Sequence, residues 1–186
     1  VSTWPRPLGT IFVPHILGGA NWPGGSYDPE TKILYIYSMT QANSIGLVPP
    51  EPGTSDMKYV VGVARDPKAP PPTSQPRRAG GGGEGGSGLS VEGLPLLKPP
   101  YGRITAIDMN KGEILWQVPH GDTPDTIKNH PKLKGIDIPR TGRPGRIGTL
   151  STKTLLISGE AGVVATPQGR GAYLRAYGKL TGADVG

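Results

Sequence analysis

A short segment occurs twice in this chain, and the repeat limits the folds open to it. Ala106-Ile107-Asp108-Met109-Asn110-Lys111-Gly112 returns as Ala176-Tyr177-Gly178-Lys179-Leu180-Thr181-Gly182, 70 residues further on. Each copy has a β-rich run before a turn. Asn110 and Gly112 suit that turn because both tolerate positive φ. Strand–turn–strand units cannot bury their faces singly, and stacking them about an axis gives a propeller. A period of this length accommodates one four-stranded blade with loops inserted into it.

The surrounding sequence agrees with short strands and many turns. The 186 residues include 30 glycines and 22 prolines, and 34% are hydrophobic. No stretch carries helix-forming residues at helical spacing, so helix should be scarce. Strands are expected at Thr10–Val13, Ile33–Tyr37, Gly102–Met109, Glu113–Val118, Thr152–Ser158 and Tyr173–Tyr177. The continuous run Ile33-Leu34-Tyr35-Ile36-Tyr37 reads as a strand covered on both faces. Between about residues 41 and 100 the character changes to a loop-rich, Gly/Pro-rich insertion. Pro49-Pro50-Glu51-Pro52, Pro70-Pro71-Pro72 and the glycine run 79–88 cannot build ladders. Within that stretch only Lys58–Val63 has the composition of a strand. The glycine run lacks the flanking strand, helix and Gly-Lys-Ser/Thr ending of a phosphate cradle, and reads as a loop.

Several function classes are excluded or disfavoured. With no cysteine there is no disulfide, thiolate metal site or thiol nucleophile. No apolar run approaches the ~18 residues of a membrane span. The net charge of +6 is scattered apart from Arg77-Arg78 and the series Arg140, Arg143, Arg146. Neither group is interleaved with aromatic rings that could stack on bases, so no nucleic-acid partner is expected. His15, His120 and His130 are too far apart for a local metal motif. His120 with Asp122 and Asp125 reads as a polar loop, and Asp108 as a turn residue rather than a base. The chain begins Val1-Ser2-Thr3 and stops within a hairpin-like segment, so both ends are read as cut. No signal peptide is recognisable in it.

Ala106-x-Asp108, then Gly112, then Trp116 resembles the tryptophan-docking motif of the quinoprotein dehydrogenases, which depend on pyrroloquinoline quinone (PQQ). Alanine allows close packing, aspartate and glycine form the turn, and the indole covers the neighbouring blade. The second copy has Gly178 in place of the aspartate and Gly186 in place of the tryptophan. Gly18-Gly19-Ala20-Asn21-Trp22 with Tyr27-Asp28-Pro29 resembles the family's cofactor-facing strand entry. Pro99–Asp108 and Gly121-Asp122-Thr123-Pro124-Asp125 with Asn129-His130-Pro131 are similar to its glucose-dehydrogenase-like branch.

This resemblance implies an all-β fold, with residues 1–186 a partial eight-bladed β-propeller comprising the last few blades. It implies oxidation of a sugar, such as a glucose-like aldose, or of an alcohol by hydride transfer to PQQ. Asn21 and Trp22 match cofactor-contacting residues of the family. Calcium or another divalent cation, the catalytic base and its partner lysine would belong to earlier blades, so no catalytic or metal residue is assigned in this chain. An electron acceptor, quinone or cytochrome, and a periplasmic or secreted location are implied as well. Membrane attachment is left open. The rival reading is a non-catalytic propeller scaffold that binds a protein partner.

Overall fold

A computed structural model describes residues 9–62, 88–166 and 169–186 of the chain. Arg77-Arg78, Pro70-Pro71-Pro72 and all but the last residue of the glycine run lie outside them. Among the described residues the fold is strand after strand, with a single four-residue helix and one 3-10 turn.

Two antiparallel sheets form the body. The first contains β2 (Gly25–Asp28), β3 (Ile33–Met39), β8 (Gly102–Asp108) and β9 (Glu113–Pro119), in that spatial order. The second contains β10 (Thr149–Ser151), β11 (Leu155–Gly159) and β14 (Leu174–Gly178). Beside β14 the chain end begins a fourth rung, with Asp184 bridged to Tyr177 and Val185 N–H bonded to the Ala176 carbonyl at 2.9 Å. Each sheet is a meander whose second and third strands are separated in sequence. Residues 40–101 separate β3 from β8, and residues 160–173 separate β11 from β14. The repeat therefore falls on equivalent elements, since β8 and β14 are both third strands.

The separating segments contain further strands. β1 (Thr10–Phe12) pairs with β4 (Asn43–Val48), which pairs with β5 (Val60–Gly62). β6 (Ser90–Val91) and β7 (Leu94–Pro95) form a small hairpin. β12 (Val164–Thr166) and β13 (Gly169–Gly171) form another. β4 was not expected from the sequence. Gly46 and the following prolines hide its period, and pairing with β1, about 33 residues earlier, supplies the order that local composition lacks. After β9 come α1 (Asp125–Lys128) and the 3-10 turn Pro131–Leu133.

The core lies between the two sheets. On β3, Ile33, Tyr35, Tyr37 and Met39 are buried while the residues between them are half-buried. That strand is thus sealed on one face, where full cover on both was expected. Ile104 and Ala106 of β8 continue the buried face, and Leu156, Tyr177 and Ile147 meet it from the other side. On the opposite face of the first sheet Tyr27 and Ile114 are exposed, and on the outer face of the second Leu150 and Leu174 are exposed.

Side chains then lock one sheet to the other. Trp116 on β9 donates its indole N–H to the Lys179 carbonyl at 2.9 Å. Tyr35 donates its hydroxyl to the same carbonyl at 3.2 Å, and the two rings lie 5.8 Å apart. The turn after β14 reaches Trp116 through Gly182, where an added Cβ would stand 2.7 Å from the ring. The indole thus covers the neighbouring sheet, as the docking motif implies. The Asp108 turn works as expected: the carboxylate accepts from Asn110 N–H at 2.8 Å and Lys111 N–H at 3.3 Å. In the second copy, Gly178 leaves room for Thr181, whose hydroxyl accepts from Ala183 N–H at 3.2 Å. A different side chain fixes that turn.

Candidate functional site at the end of the sheets

The register places one set of strand ends together. Gly25 opens β2, Met39 closes β3 opposite Gly102 of β8, and Pro119 closes β9 opposite Arg103. Asn21 and Trp22 precede β2 at this end. Their backbone is a tight turn, with Gly24 N–H on the Asn21 carbonyl at 2.8 Å. Asn21 fixes the turn by accepting from Trp22 N–H at 2.7 Å with its own Oδ1. Its Nδ2 makes only a long contact, 3.4 Å, to the Leu17 carbonyl.

Trp22 is 94% exposed. This large apolar ring is turned out of the core at the edge strand, beside the first strand of the second sheet. Pro23 sits against Gly148, within 3.3 Å of where its Cβ would be. Ser26 and Thr149 hydroxyls meet at 2.8 Å. This hydrogen-bonded turn therefore offers an indole face and a primary amide with spare hydrogen-bonding capacity. Those are the groups that suit a flat, aromatic, oxygen-rich ligand.

The rest of this end is polar and ionic. His120, which follows β9, is fully buried. Its Nδ1 lies 2.7 Å from the Tyr177 hydroxyl and its Nε2 2.9 Å from the Gly159 carbonyl. One tautomer satisfies both, with Nε2–H donating to the carbonyl and Nδ1 accepting from the phenol. Burial pushes its pKa below the ordinary histidine value. His120 therefore does not share a polar surface loop with Asp122 and Asp125, as its sequence neighbourhood suggests. His120 is an interior link between the sheets, Asp122 binds Arg175 at 3.2 Å, and Asp125 opens α1. Glu160 and Asp184 also bind Arg175, and Asp184 binds Arg140 at 2.6 Å. A lone histidine carries no periodicity, so no sequence signal could have given its role.

At the opposite end Lys179 and Asp28 form a buried ion pair. The Lys179 ammonium also donates to the Thr152 carbonyl at 2.8 Å. Lys179 and Thr31, as hydrogen-bond donors, hold the Asp28 carboxyl down at about 2. His130 Nε2 lies 2.9 Å from the Glu92 carbonyl and ties the β6–β7 hairpin down. Among the described residues no group of three or more acidic or histidine side chains could hold a metal ion. No helix among them is long and apolar enough to cross a membrane.

A family model for the β-propeller domain of PQQ-dependent glucose/ethanol/alcohol dehydrogenases matches residues 2–186. The chain belongs to that family. As a quinoprotein it resembles quinate/shikimate dehydrogenase (quinone) of Acinetobacter baylyi, at 29% identity over 95% of this chain and 20% of the relative. It is 26% identical to quinoprotein glucose dehydrogenase A of Acinetobacter calcoaceticus, over 100% of this chain and 21% of the relative. The glycerol dehydrogenase large subunit of Gluconobacter thailandicus is 29% identical over 94% of this chain and 23% of its own length. The chain spans about a fifth of the length of these relatives. Membership makes the two sheets part of a quinoprotein β-propeller and implies PQQ, with calcium or another cation typical beside it. Asn21 and Trp22 have the donor, acceptor and stacking face such a cofactor needs.

Proposed function

We propose that the chain is part of a PQQ-dependent dehydrogenase that oxidises a sugar or alcohol, and that Asn21 and Trp22 contact the cofactor. The observation that carries this reading is Trp22, a 94% exposed indole on a hydrogen-bonded turn. A solvent-facing tryptophan gains nothing for the core, whereas its face provides a stacking platform. When bound, PQQ supplies the two-electron acceptor for the substrate's hydride. Trp22 would offer it a stacking face, and the Asn21 Nδ2–H would supply a donor for one of its oxygens.

In this reading residues 1–186 form one partial domain of an eight-bladed propeller, namely its last few blades, with residues 41–100 an insertion in one of them. Calcium, the base that takes the hydroxyl proton, and its partner lysine lie outside the chain. The chain alone is then inactive. The electron acceptor is a quinone or cytochrome, and the location is periplasmic or secreted.

The test is dye-linked oxidation by the full-length protein loaded with PQQ and calcium, on aldoses, polyols and simple alcohols. Turnover that requires PQQ supports the proposal. Absence of PQQ-dependent turnover across that panel rejects it and leaves the scaffold reading.

A further inference from the structure

The segment that carries Asn21 and Trp22 is braced from within by His15, a buried side chain. Its Nδ1 accepts from the Leu17 N–H at 3.0 Å, and its carbonyl accepts from the Gly18 N–H at 3.0 Å. The Leu17 carbonyl in turn accepts from Asn21 Nδ2 at 3.4 Å, and Asn21 Oδ1 accepts from the Trp22 N–H at 2.7 Å. One line of hydrogen bonds therefore runs from the imidazole through Leu17 and Asn21 to the backbone of Trp22. Nδ2 carries two hydrogens, so the one turned toward Leu17 sets the direction of the other. The same segment is held to the end of β3. The Met39 N–H donates to the Gly19 carbonyl at 2.9 Å, and the Gln41 N–H donates to the Pro14 carbonyl.

An accepting Nδ1 requires the neutral ring with its proton on Nε2. A protonated His15 would turn an N–H against the Leu17 N–H, and the line of bonds would lose its first link. Burial, and then the positive charge of Arg146, hold the imidazole pKa below the ordinary histidine value. Arg146 is the charged group that faces His15, and at the end of β3 Met39, Thr40 and Gln41 bring no charge to the segment. A side chain that accepts from the backbone N–H two residues ahead has the geometry of an Asx turn. Asparagine can supply the same bond without titrating.

We propose that His15 is a positioning residue for the cofactor contacts: as an uncharged hydrogen-bond acceptor it holds the turn that presents Asn21 and Trp22, and acid releases that turn. This rests on the PQQ reading, so one arm of the test needs no cofactor. In the first arm PQQ is titrated, with calcium, into the full-length protein and its His15→Asn and His15→Leu variants, at about pH 8 and about pH 5, on either side of the ordinary imidazole pKa. At the higher pH the unaltered protein and His15→Asn should bind alike, and His15→Leu about fivefold more weakly, the scale of one neutral hydrogen bond. At the lower pH the unaltered protein should weaken by about the same factor relative to His15→Asn. In the second arm, hydrogen exchange of residues 15–24 is followed without PQQ and corrected for the intrinsic rate at each pH. It should quicken in His15→Leu at both pH values and in the unaltered protein only in acid, while His15→Asn stays slow. Melting curves show whether His15→Leu folds; if it does not, the pH comparison of the other two proteins decides alone. Equal acid loss in the unaltered protein and His15→Asn overturns the proposal. So does a folded His15→Leu with unaltered affinity, or a His15→Asn as weak as His15→Leu. No PQQ binding by the unaltered protein rejects the cofactor reading, whereas the exchange arm still decides whether His15 holds the turn.

Discussion

At the residue scale, the side chains that matter most are those joining the two sheets. Trp116 combines a half-buried indole with one directed hydrogen bond to the Lys179 carbonyl. Trp116→Phe in the full-length protein should cost about 1 kcal/mol, the usual worth of that bond, and Trp116→Ala about 3 kcal/mol. Denaturant titration of the two variants checks the order. Titration should also be visible in stability. His120 and His15 both have pKa values lowered by burial. The unfolded chain therefore takes up protons first, and stability should fall as pH drops below about 6.5. Asp28, at about 2 when folded, contributes stability above pH ~4 that is lost only as pH falls towards 2. Melting temperatures between pH 8 and 5 should therefore decline, and His120→Gln should flatten that slope. A flat profile in the unaltered protein would contradict the buried neutral histidines.

At the scale of elements, legibility in the sequence followed how local the signal was. The Asp108 turn and the Ala176 copy could be read because aspartate, asparagine and glycine write turn chemistry within a few residues. The strands β3, β8, β9, β11 and β14 carry continuous or alternating apolar runs and were found within a few residues of their ends. β4 and the β6–β7 hairpin were missed, since their order comes from partners distant in sequence and from His130. The loop after β9 is polar in composition, although His120 in it belongs to the interior. Gly102 shows how tightly that loop is threaded: residues 142 and 143 pass so near that no side chain fits. Gly102→Ala should displace this crossing and lower the melting temperature more than Gly159→Ala, where no atom lies within 4 Å of the added carbon and the backbone is not left-handed. Differential scanning calorimetry of the two variants compares them; equal shifts would show that the crossing can yield.

At the scale of the molecule, the two sheets bury the faces turned toward each other and leave apolar side chains on the faces turned away. Tyr27 and Ile114 lie on one outer face, Leu150 and Leu174 on the other. Blades of a propeller are stacked side by side, which accounts for these faces. Residues 1–186 expressed alone should accordingly associate, eluting from size exclusion ahead of a 19.5 kDa monomer. A monomeric peak with a sharp cooperative melt would argue that two sheets suffice. The proposed cofactor contacts, Asn21 and Trp22, rest on the resemblance alone at the level of sequence, because one amide and one indole carry no spacing rule of their own. The exposure of Trp22 gives that pair a physical reason to be a site. The most direct measurement is PQQ titration of the full-length protein with calcium, comparing Trp22→Ala with the unaltered chain by absorbance and tryptophan fluorescence. The expected result is tight binding by the unaltered protein and affinity at least about tenfold weaker in the variant, the scale of losing one stacking face. Equal affinities would remove Trp22 from the cofactor site, and no binding by either protein would contradict the PQQ reading itself.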